Sequence, residues 1–486
     1  MTPAAVAVAA AAAGAAVAVA AVGCQPAPAS PGADPCAFAD GFSGCLFYFA
    51  DTDNTDQDDG RSLSLFVTSS AGGARLAVQS RDTQGAWRTD QIAMVAAGGA
   101  IFLALTAPDG RPLDIHREGT GPARGRGRRL RADRPVTAAI FNSDGRNGSS
   151  ASSSATLLPP REALGLEYRA LGWPEPSPEG MVFASGPLPA TIVVVGTRDG
   201  TTAVIEAEPA PLSFALDDGD VFQWVTTATG SDLSGVRVTA DAPVAVLSGV
   251  ACAADGRPDR AASESRWCDK IEEALLPTAT WGRSYVATPL PPRPEACDGR
   301  PGWPFAHRYR VVAAEDDTEL AFDTPEPSPR PGEPPAFDRI PRAGGFREYE
   351  TPGPFFVRAS KPVAIAELVP CEPSMVLLAP VERWDDQSIV AGPSLLPESI
   401  VIARKAGSHV VFDGLSLEPS LWSAAGGGFE VTTLAVADCG AGRFGRAPSD
   451  LSGCVHRLAG ESATALIGAN DFLGGYAYGG TYRLAR

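Results

Sequence analysis

The chain has 486 residues, a formal net charge of −17 at pH 7, 52 Gly and 44 Pro. Gly and Pro together make up about one residue in five, against a usual share of about one in eight, and both interrupt helices. This composition excludes a long coiled coil or a helical bundle, and the negative charge argues against nucleic acid as the main partner. Hydrophobic residues, at 44%, suffice to build folded cores.

An uncharged apolar segment opens the chain. Residues 4–22 are rich in Ala and Val and end at Gly23-Cys24. An apolar stretch that stops at small residues predicts a secretory signal peptide over residues 1–23. Gly23-Cys24 at this boundary resembles the lipobox of bacterial lipoproteins, which implies that Cys24 is acylated and anchors the mature chain in a lipid membrane. An ordinary signal peptide without lipidation is the alternative.

The nine cysteines predict disulfide bonds, which persist outside the reducing cytosol. No C-x2-C pair occurs, which excludes a zinc finger or zinc ribbon. Acylation of Cys24 would leave an even number of cysteines for pairing. Proximity in sequence favours the pairs Cys36–Cys45, Cys252–Cys268 and Cys439–Cys454, and Cys297–Cys371 is the remainder. Many other connectivities stay open.

An acidic stretch follows the first predicted strand. Its carboxylates alternate along the chain at Asp51, Asp53, Asp56 and Asp58. Such oxygens can converge on Ca²⁺. The stretch is not an EF-hand loop, because Asp56 stands where that loop needs Gly for its sharp turn. The sequence therefore predicts either a Ca²⁺ site or a solvated acidic loop, and no other cofactor.

Short runs of β-branched and aromatic residues fill the rest of the chain, bounded by Gly, Asp and Pro. Such runs predict hairpin strands, for example Ile192–Val195 and Val244–Leu247. A turn followed by Pro-Val opens a strand at Pro135, Pro243 and Pro362. At the second copy we predict a turn over 240–243 that separates two strands.

Two further elements recur in the same order. A Val-Val strand with an acidic turn spans 194–201 and 311–318, and a Leu-Leu-Pro element with Gly and Tyr spans 157–168 and 275–285. This repetition predicts about four β modules, each with about seven strands. Tandem antiparallel β-sandwich-like modules are the preferred all-β architecture, and a β-propeller is the alternative. The predicted linker is 24–43, and the predicted modules are 44–150, 151–255, 256–372 and 373–486.

The second module carries a resemblance to a known family. An Asp-Leu-Ser-Gly turn at 232–235 leads to a Pro-Val-Ala-Val strand at 243–246 and then to Cys252. The run continues with Cys268 and Asp269, the pair Glu272-Glu273, Leu276-Pro277 and Trp281-Gly282. This ordered set resembles the N-terminal domain of IgGFc-binding proteins, found in mucus proteins of animals and in exported bacterial proteins. The resemblance covers residues 44–482 and implies an exported binding or adhesion module.

The first functional hypothesis is an exported, lipid-anchored cell-surface protein that binds an extracellular glycoprotein or polysaccharide. A secreted hydrolase with a non-local active site and a structural envelope or matrix protein are the alternatives. No catalytic residue is predicted, because the four His residues are far apart and neither HExxH nor GxSxG occurs. They are His116, His307, His409 and His456. No residue pattern for contact with immunoglobulin Fc is visible.

Overall fold

In this computed structural model, the described residues contain thirty β-strands and a few short 3-10 turns. The residues that the structure describes are 36, 41–52, 62–69, 72–82, 84–107, 113, 115, 119–143, 153–174, 188–254, 268–291, 306–324, 332–370, 373–392, 398–436, 455–471 and 474–484. The predicted all-β class is confirmed. All described strands belong to one unit, Pro35–Arg486.

The strands form four antiparallel sheets. Sheet 1 contains β1 (Gly44–Phe49), β2 (Ser62–Thr68), β3 (Ala74–Arg81), β4 (Trp87–Val95), β5 (Ala100–Ala104), β7 (Arg128–Ser143) and β8 (Ser153–Leu157). Sheet 2 contains β6 (Gly121–Ala123), β9 (Gly165–Arg169), β10 (Ala190–Gly196), β11 (Thr201–Ile205), β12 (Leu212–Leu216), β13 (Val221–Val225), β14 (Arg237–Ala254) and β15 (Cys268–Ala274). The short strand β6 thus joins a sheet whose other members follow it in the chain.

The second half of the chain repeats this plan. Sheet 3 contains β16 (Gly282–Ala287), β17 (His307–Ala313), β18 (Thr318–Asp323), β19 (Phe337–Ile340), β20 (Phe346–Thr351), β21 (Phe355–Val369) and β22 (Ser374–Leu377). Sheet 4 contains β23 (Asp385–Ala391), β24 (Glu398–Lys405), β25 (Val410–Phe412), β26 (Leu415–Ser416), β27 (Ser423–Gly426), β28 (Phe429–Val436), β29 (Val455–Asp471) and β30 (Gly474–Gly479).

One long strand organises each sheet: β7, β14, β21 and β29. In sheet 1 the first half of β7 pairs with β1 and β3, and its second half pairs with β2 and β8. The other three sheets repeat this pairing. Each sheet is therefore two half-sheets of four or five strands that share one bent strand, with side chains of both halves in a common core. This is a sandwich-like arrangement.

In sheets 1, 2 and 3 the bend lies at the Pro-Val motif. The turn predicted over 240–243 is wrong, because β14 runs through it as one strand, Arg237–Ala254. The register against β9 shifts between Thr239 and Val244, and corresponding shifts occur in the other three sheets. Pro243 lacks a backbone N–H, so it is tolerated at this irregular point, where the ladder is interrupted and the strand changes direction.

One strand beside the second half of each long strand contributes to two cores: β2, β10, β17 and β24. In β10, Ile192 and Val194 belong to the core of sheet 2, whereas Val193 and Val195 belong to the core of sheet 1. A strand buried on both sides needs a continuous apolar run rather than an alternating one. Burying each such side chain contributes about 1.5–3 kcal/mol. The same pattern joins sheet 3 to sheet 2, sheet 4 to sheet 3, and sheet 1 to sheet 4.

The last strands of the four sheets meet at one place. Strand β8 contacts β15, β15 contacts β22, β22 contacts β30, and β30 contacts β8. We call these four strands the hub. The cycle is also closed outside the hub, where the ring centroids of Phe42 and Tyr482 lie 5.0 Å apart. Strands β8, β15 and β22 all follow the boundaries predicted at 150, 255 and 372, so sheets 1, 2 and 3 each run one strand further than the predicted module.

Candidate functional site

The first carboxylate of the predicted Ca²⁺ stretch lies in the interior. Asp51 is buried and accepts hydrogen bonds from Ile115 N at 3.0 Å and from Asn142 Nδ2 at 3.1 Å. The other three carboxylates, Asp53, Asp56 and Asp58, lie outside the described residues. Within the described part of the chain, no group of three or more His, Cys, Asp or Glu side chains is arranged to hold a metal ion. The Ca²⁺ site stays a prediction.

Asp51 is one of five buried polar side chains that connect sheets 1 and 2. We call Asp51, Thr52, Asn142, Lys270 and Glu272 the buried polar cluster. Lys270 Nζ donates to Thr52 Oγ1 at 2.6 Å and lies 3.5 Å from Glu272 Oε2. Thr52 Oγ1 donates to Glu272 Oε2, and Asn142 Nδ2 donates to Thr52 O at 2.8 Å. With Lys270 2% and Glu272 1% exposed, solvent hardly screens this ion pair.

The cysteines of the described region are oxidised. Cys36 and Cys45 form a disulfide bond with a Cα–Cα distance of 5.5 Å, which is one of the predicted pairs. Cys252 is also disulfide-bonded. Five cysteines lie outside the described residues, as does the side chain of Cys268: Cys24, Cys297, Cys371, Cys439 and Cys454. The acylation of Cys24 and the remaining pairs stay predictions.

Two histidines each lie close to a carboxylate, and the sequence alone does not predict either pair. His307 Nδ1 lies 2.7 Å from Glu367 Oε1, and both side chains are buried. His456 Nδ1 lies 2.7 Å from Asp413 Oδ2. Among the described residues, neither His307 nor His456 hydrogen-bonds to a Ser, Thr or Cys side chain. His116 lies outside the described residues, and His409 contacts Ser416 Oγ at 3.0 Å.

The Asp-Leu-Ser-Gly turn at 232–235 receives a charged side chain from sheet 3. Arg310, on β17, is 1% exposed. One of its terminal nitrogens donates to Asp232 Oδ2 at 2.6 Å, to Ser234 Oγ at 2.7 Å and to Gly172 O at 2.5 Å. The other donates to Glu348 Oε1 at 2.8 Å. We call this contact the Arg310 latch, because it joins sheet 2 to sheet 3 with charge-assisted hydrogen bonds.

Aromatic rings and a close backbone approach complete the Arg310 latch. The guanidinium carbon lies 4.6 Å from the ring centroid of Trp173 and 4.2 Å from that of Phe346, within the range of cation–π attraction. Gly235 has a φ of +84°, and a Cβ there would lie 1.8 Å from Gly344 O. Only glycine fits such a position. The motif on which the family resemblance was based is therefore part of a contact between sheets.

A second buried carboxyl group lies in the hub. Glu273, on β15, accepts hydrogen bonds from Thr156 Oγ1 at 2.6 Å and from Leu377 N at 3.2 Å, so it connects sheets 1, 2 and 3. Burial raises the pKa of Glu273 well above its ordinary value, and this effect exceeds the opposite effect of the two hydrogen bonds. The pair Glu272-Glu273 thus serves two different contacts.

Sequence reasoning missed most members of these sites. Lys270, Asn142 and Arg310 were not singled out, although two signals were present. The chain has 40 Lys and Arg residues, of which only Lys270, Lys361 and Lys405 are Lys. Arg310 directly precedes the apolar residues Val311, Val312 and Ala313 of β17, and a charge buried in such a strand is costly unless it is paired.

Comparison with known sequences assigns this chain to one protein family. The profile of the IgGFc binding protein family matches residues 154–453. The chain belongs to the IgGFc-binding protein family. The human IgGFc-binding protein is 35% identical to it over 140 residues, which are 28% of this chain and 2% of the human protein. No solved structure matches. Among the described residues of this family member, no helix has the length and hydropathy needed to cross a membrane.

Replacing Arg310 tests the latch. We expect Arg310→Met to lower the free energy of unfolding by about 3 kcal/mol, because Asp232 and Glu348 lose their charged partner. Arg310→Lys should lower the free energy of unfolding by a smaller amount, since an ammonium group cannot reproduce the guanidinium geometry. Urea unfolding measures both. Arg339→Met is the control, because Arg339 pairs with Asp317 at the surface, and it should change stability by less than about 0.5 kcal/mol. Equal effects of the two Met variants would contradict the latch.

Replacing Glu273 tests the hub. Its raised pKa means that the folded state holds the proton more tightly than the unfolded chain, whose Glu ionises at about pH 4.3. The wild type therefore loses stability as the pH rises above that value. Glu273→Gln has no carboxyl group at this position and therefore does not show this loss. The unfolding temperature of the variant minus that of wild type should rise from pH 4 to pH 8. As the control, Glu319→Gln changes an exposed residue, and its unfolding temperature should depend on pH in the same way as that of wild type. Parallel curves for Glu273→Gln would show that the buried carboxyl is not protonated.

Proposed function

We propose that this chain is an exported, lipid-anchored cell-surface protein that binds an extracellular glycoprotein or polysaccharide. Membership of the IgGFc-binding protein family carries this proposal, since the human relative is named for binding. The disulfide between Cys36 and Cys45 supports export, because disulfides form and persist outside the cytosol.

The contacts that the family motif makes support a binding function over the hydrolase alternative. The Asp-Leu-Ser-Gly turn and the pair Glu272-Glu273 hold sheets together, and both carboxyl groups are buried, at 1% and 4% exposed. Carboxyl groups with so little exposure do not meet a substrate directly. On this view the family motif builds a scaffold, and recognition belongs to the loops that the scaffold carries, where binding residues are commonly found.

Ca²⁺ is the cofactor that we propose for this recognition. The first two residues of the acidic stretch, Asp51 and Thr52, are fixed in the buried polar cluster. A loop that starts from a rigid point holds its carboxylates at a lower entropic cost than a loop that is free at both ends. Asp53, Asp56 and Asp58 would supply the oxygens.

Binding by the mature chain tests the proposed function. The chain from residue 25 onward, immobilised through a C-terminal tag, is exposed to arrays of extracellular glycoproteins and polysaccharides, with Fc as a separate sample. We expect saturable binding to at least one glycoprotein or polysaccharide, and weaker binding in EDTA and in the Asp56→Asn/Asp58→Asn variant. Asp386→Asn, an exposed carboxylate of sheet 4, is the matched control and should bind as wild type. If none of the samples binds saturably, the proposal is contradicted and a structural matrix protein is favoured.

Anchoring is tested separately. In a bacterial host that acylates lipoproteins, we expect Cys24→Ala to move the protein from the membrane fraction to the soluble fraction, because the acceptor of the lipid is lost. Gln25→Ala, at the neighbouring position, should remain with the membrane. Immunoblots of the two fractions give the distribution. An unchanged distribution for Cys24→Ala would contradict lipidation and leave the binding proposal standing.

A further inference from the structure

Lysine is rare in this chain, and one of its three lysines is buried. Lys270 is 2% exposed, whereas Lys405 is exposed and Lys361 is partly exposed at the surface. The remaining basic residues are Arg. Arg keeps its charge and is the usual choice for buried ion pairs. A primary amine differs from a guanidinium in one chemical respect that matters here, because once deprotonated it is a nucleophile.

The amide of Asn142 belongs to the same buried polar cluster as this amine. Lys270 Nζ and Asn142 Nδ2 share one hydrogen-bond partner, Thr52 Oγ1, at 2.6 Å and 3.4 Å. The Asn142 side chain is also held by Asp51 Oδ1 and Thr52 O, at 3.1 Å and 2.8 Å from Nδ2. An amine and an amide are thus fixed together where bulk water is excluded, which is the condition under which an intramolecular reaction is most favoured.

A carboxylate lies close to the amine as well. Glu272 Oε2 is 3.5 Å from Lys270 Nζ. The other oxygen, Glu272 Oε1, is buried and has no hydrogen-bond partner in the part of the chain that the structure describes. Unsatisfied carboxylate oxygens are rare in protein interiors and call for an explanation. A group that takes up and releases a proton during a reaction provides one.

We propose that Lys270 Nζ and Asn142 Cγ become joined by an amide bond, which links sheet 1 to sheet 2 covalently. The buried polar cluster supplies every group that the reaction needs. Glu272 accepts one proton from the Lys270 ammonium, and the neutral amine attacks Asn142 Cγ. Thr52 Oγ1, which contacts both nitrogens, passes a second proton from Nζ to the leaving Nδ2.

The step balances without a further reactant. The Cγ–Nδ2 bond of Asn142 breaks as the Cγ–Nζ bond forms, and Nδ2 leaves as ammonia. Ammonia takes the first proton back from Glu272 and departs as ammonium. Nothing is oxidised or reduced. The charge of Lys270 leaves with the ammonium, and the product is a neutral amide between two strands, β7 and β15.

Mass spectrometry of the wild-type chain tests the proposal directly. In the fully reduced and alkylated chain from residue 25 onward, we expect an intact mass lower by one ammonia molecule than the mass of the same residues with all eight of their cysteines alkylated. Trypsin should then yield one species in which residues 132–146 are joined to residues 267–283, without cleavage after Lys270. An unmodified intact mass would overturn the proposal. So would a loss of ammonia with the two peptides separate, which indicates a succinimide at Asn142.

Variants identify the reacting groups. Lys270→Arg and Asn142→Ala should each have the mass of an unlinked chain, and Glu272→Gln should be unlinked while remaining folded by circular dichroism. Lys405→Arg is the matched control and should be linked fully. If Glu272→Gln does not fold, the wild-type mass still decides the proposal. A linked product in folded Glu272→Gln would overturn the role of Glu272 as proton acceptor.

Discussion

The bend of one long strand determines most of this architecture. Because β7, β14, β21 and β29 each change direction at a register shift, a single strand can belong to two half-sheets. The second half of each then pairs with a strand whose two faces enter two different cores: β2, β10, β17 and β24. No sheet can therefore complete its own core alone, and each depends on the next for burial.

Charged contacts add selectivity to this apolar packing. Buried ion pairs contribute little net stability, since desolvation offsets much of the attraction. These contacts make the docking of one sheet on the next specific. A sheet docked in another register would leave Arg310, Lys270 or Glu273 buried without its partner. The apolar runs of the four sheets are similar in character, and they do not by themselves determine the order of the neighbours.

The sequence predicted the class, the recurrence of the strands and the pairing of Cys36 with Cys45, because these depend on local patterns. The position of Pro243 was recognised, but its conformation was predicted wrongly, since Pro at a bulge and Pro in a turn leave the same pattern. The local alternation of Asp residues predicts a cation ligand at Asp51, whereas its hydrogen bonds with Ile115 N and Asn142 join segments that are distant in sequence and leave no local pattern. Lys270 meets Thr52 across 218 positions, and no local pattern predicts which distant segments meet.

The closed cycle of sheets also affects how the molecule fluctuates. If the contact between two neighbouring sheets opens, the separated surfaces stay connected through the chain and through the three contacts that remain. Re-formation is then an intramolecular event at high effective concentration, and not an encounter between free partners. The pairing of Phe42 with Tyr482 extends this property to the two sheets that are furthest apart in sequence. An open-ended row of the same four sheets would lack it, because its first and last sheets could separate independently.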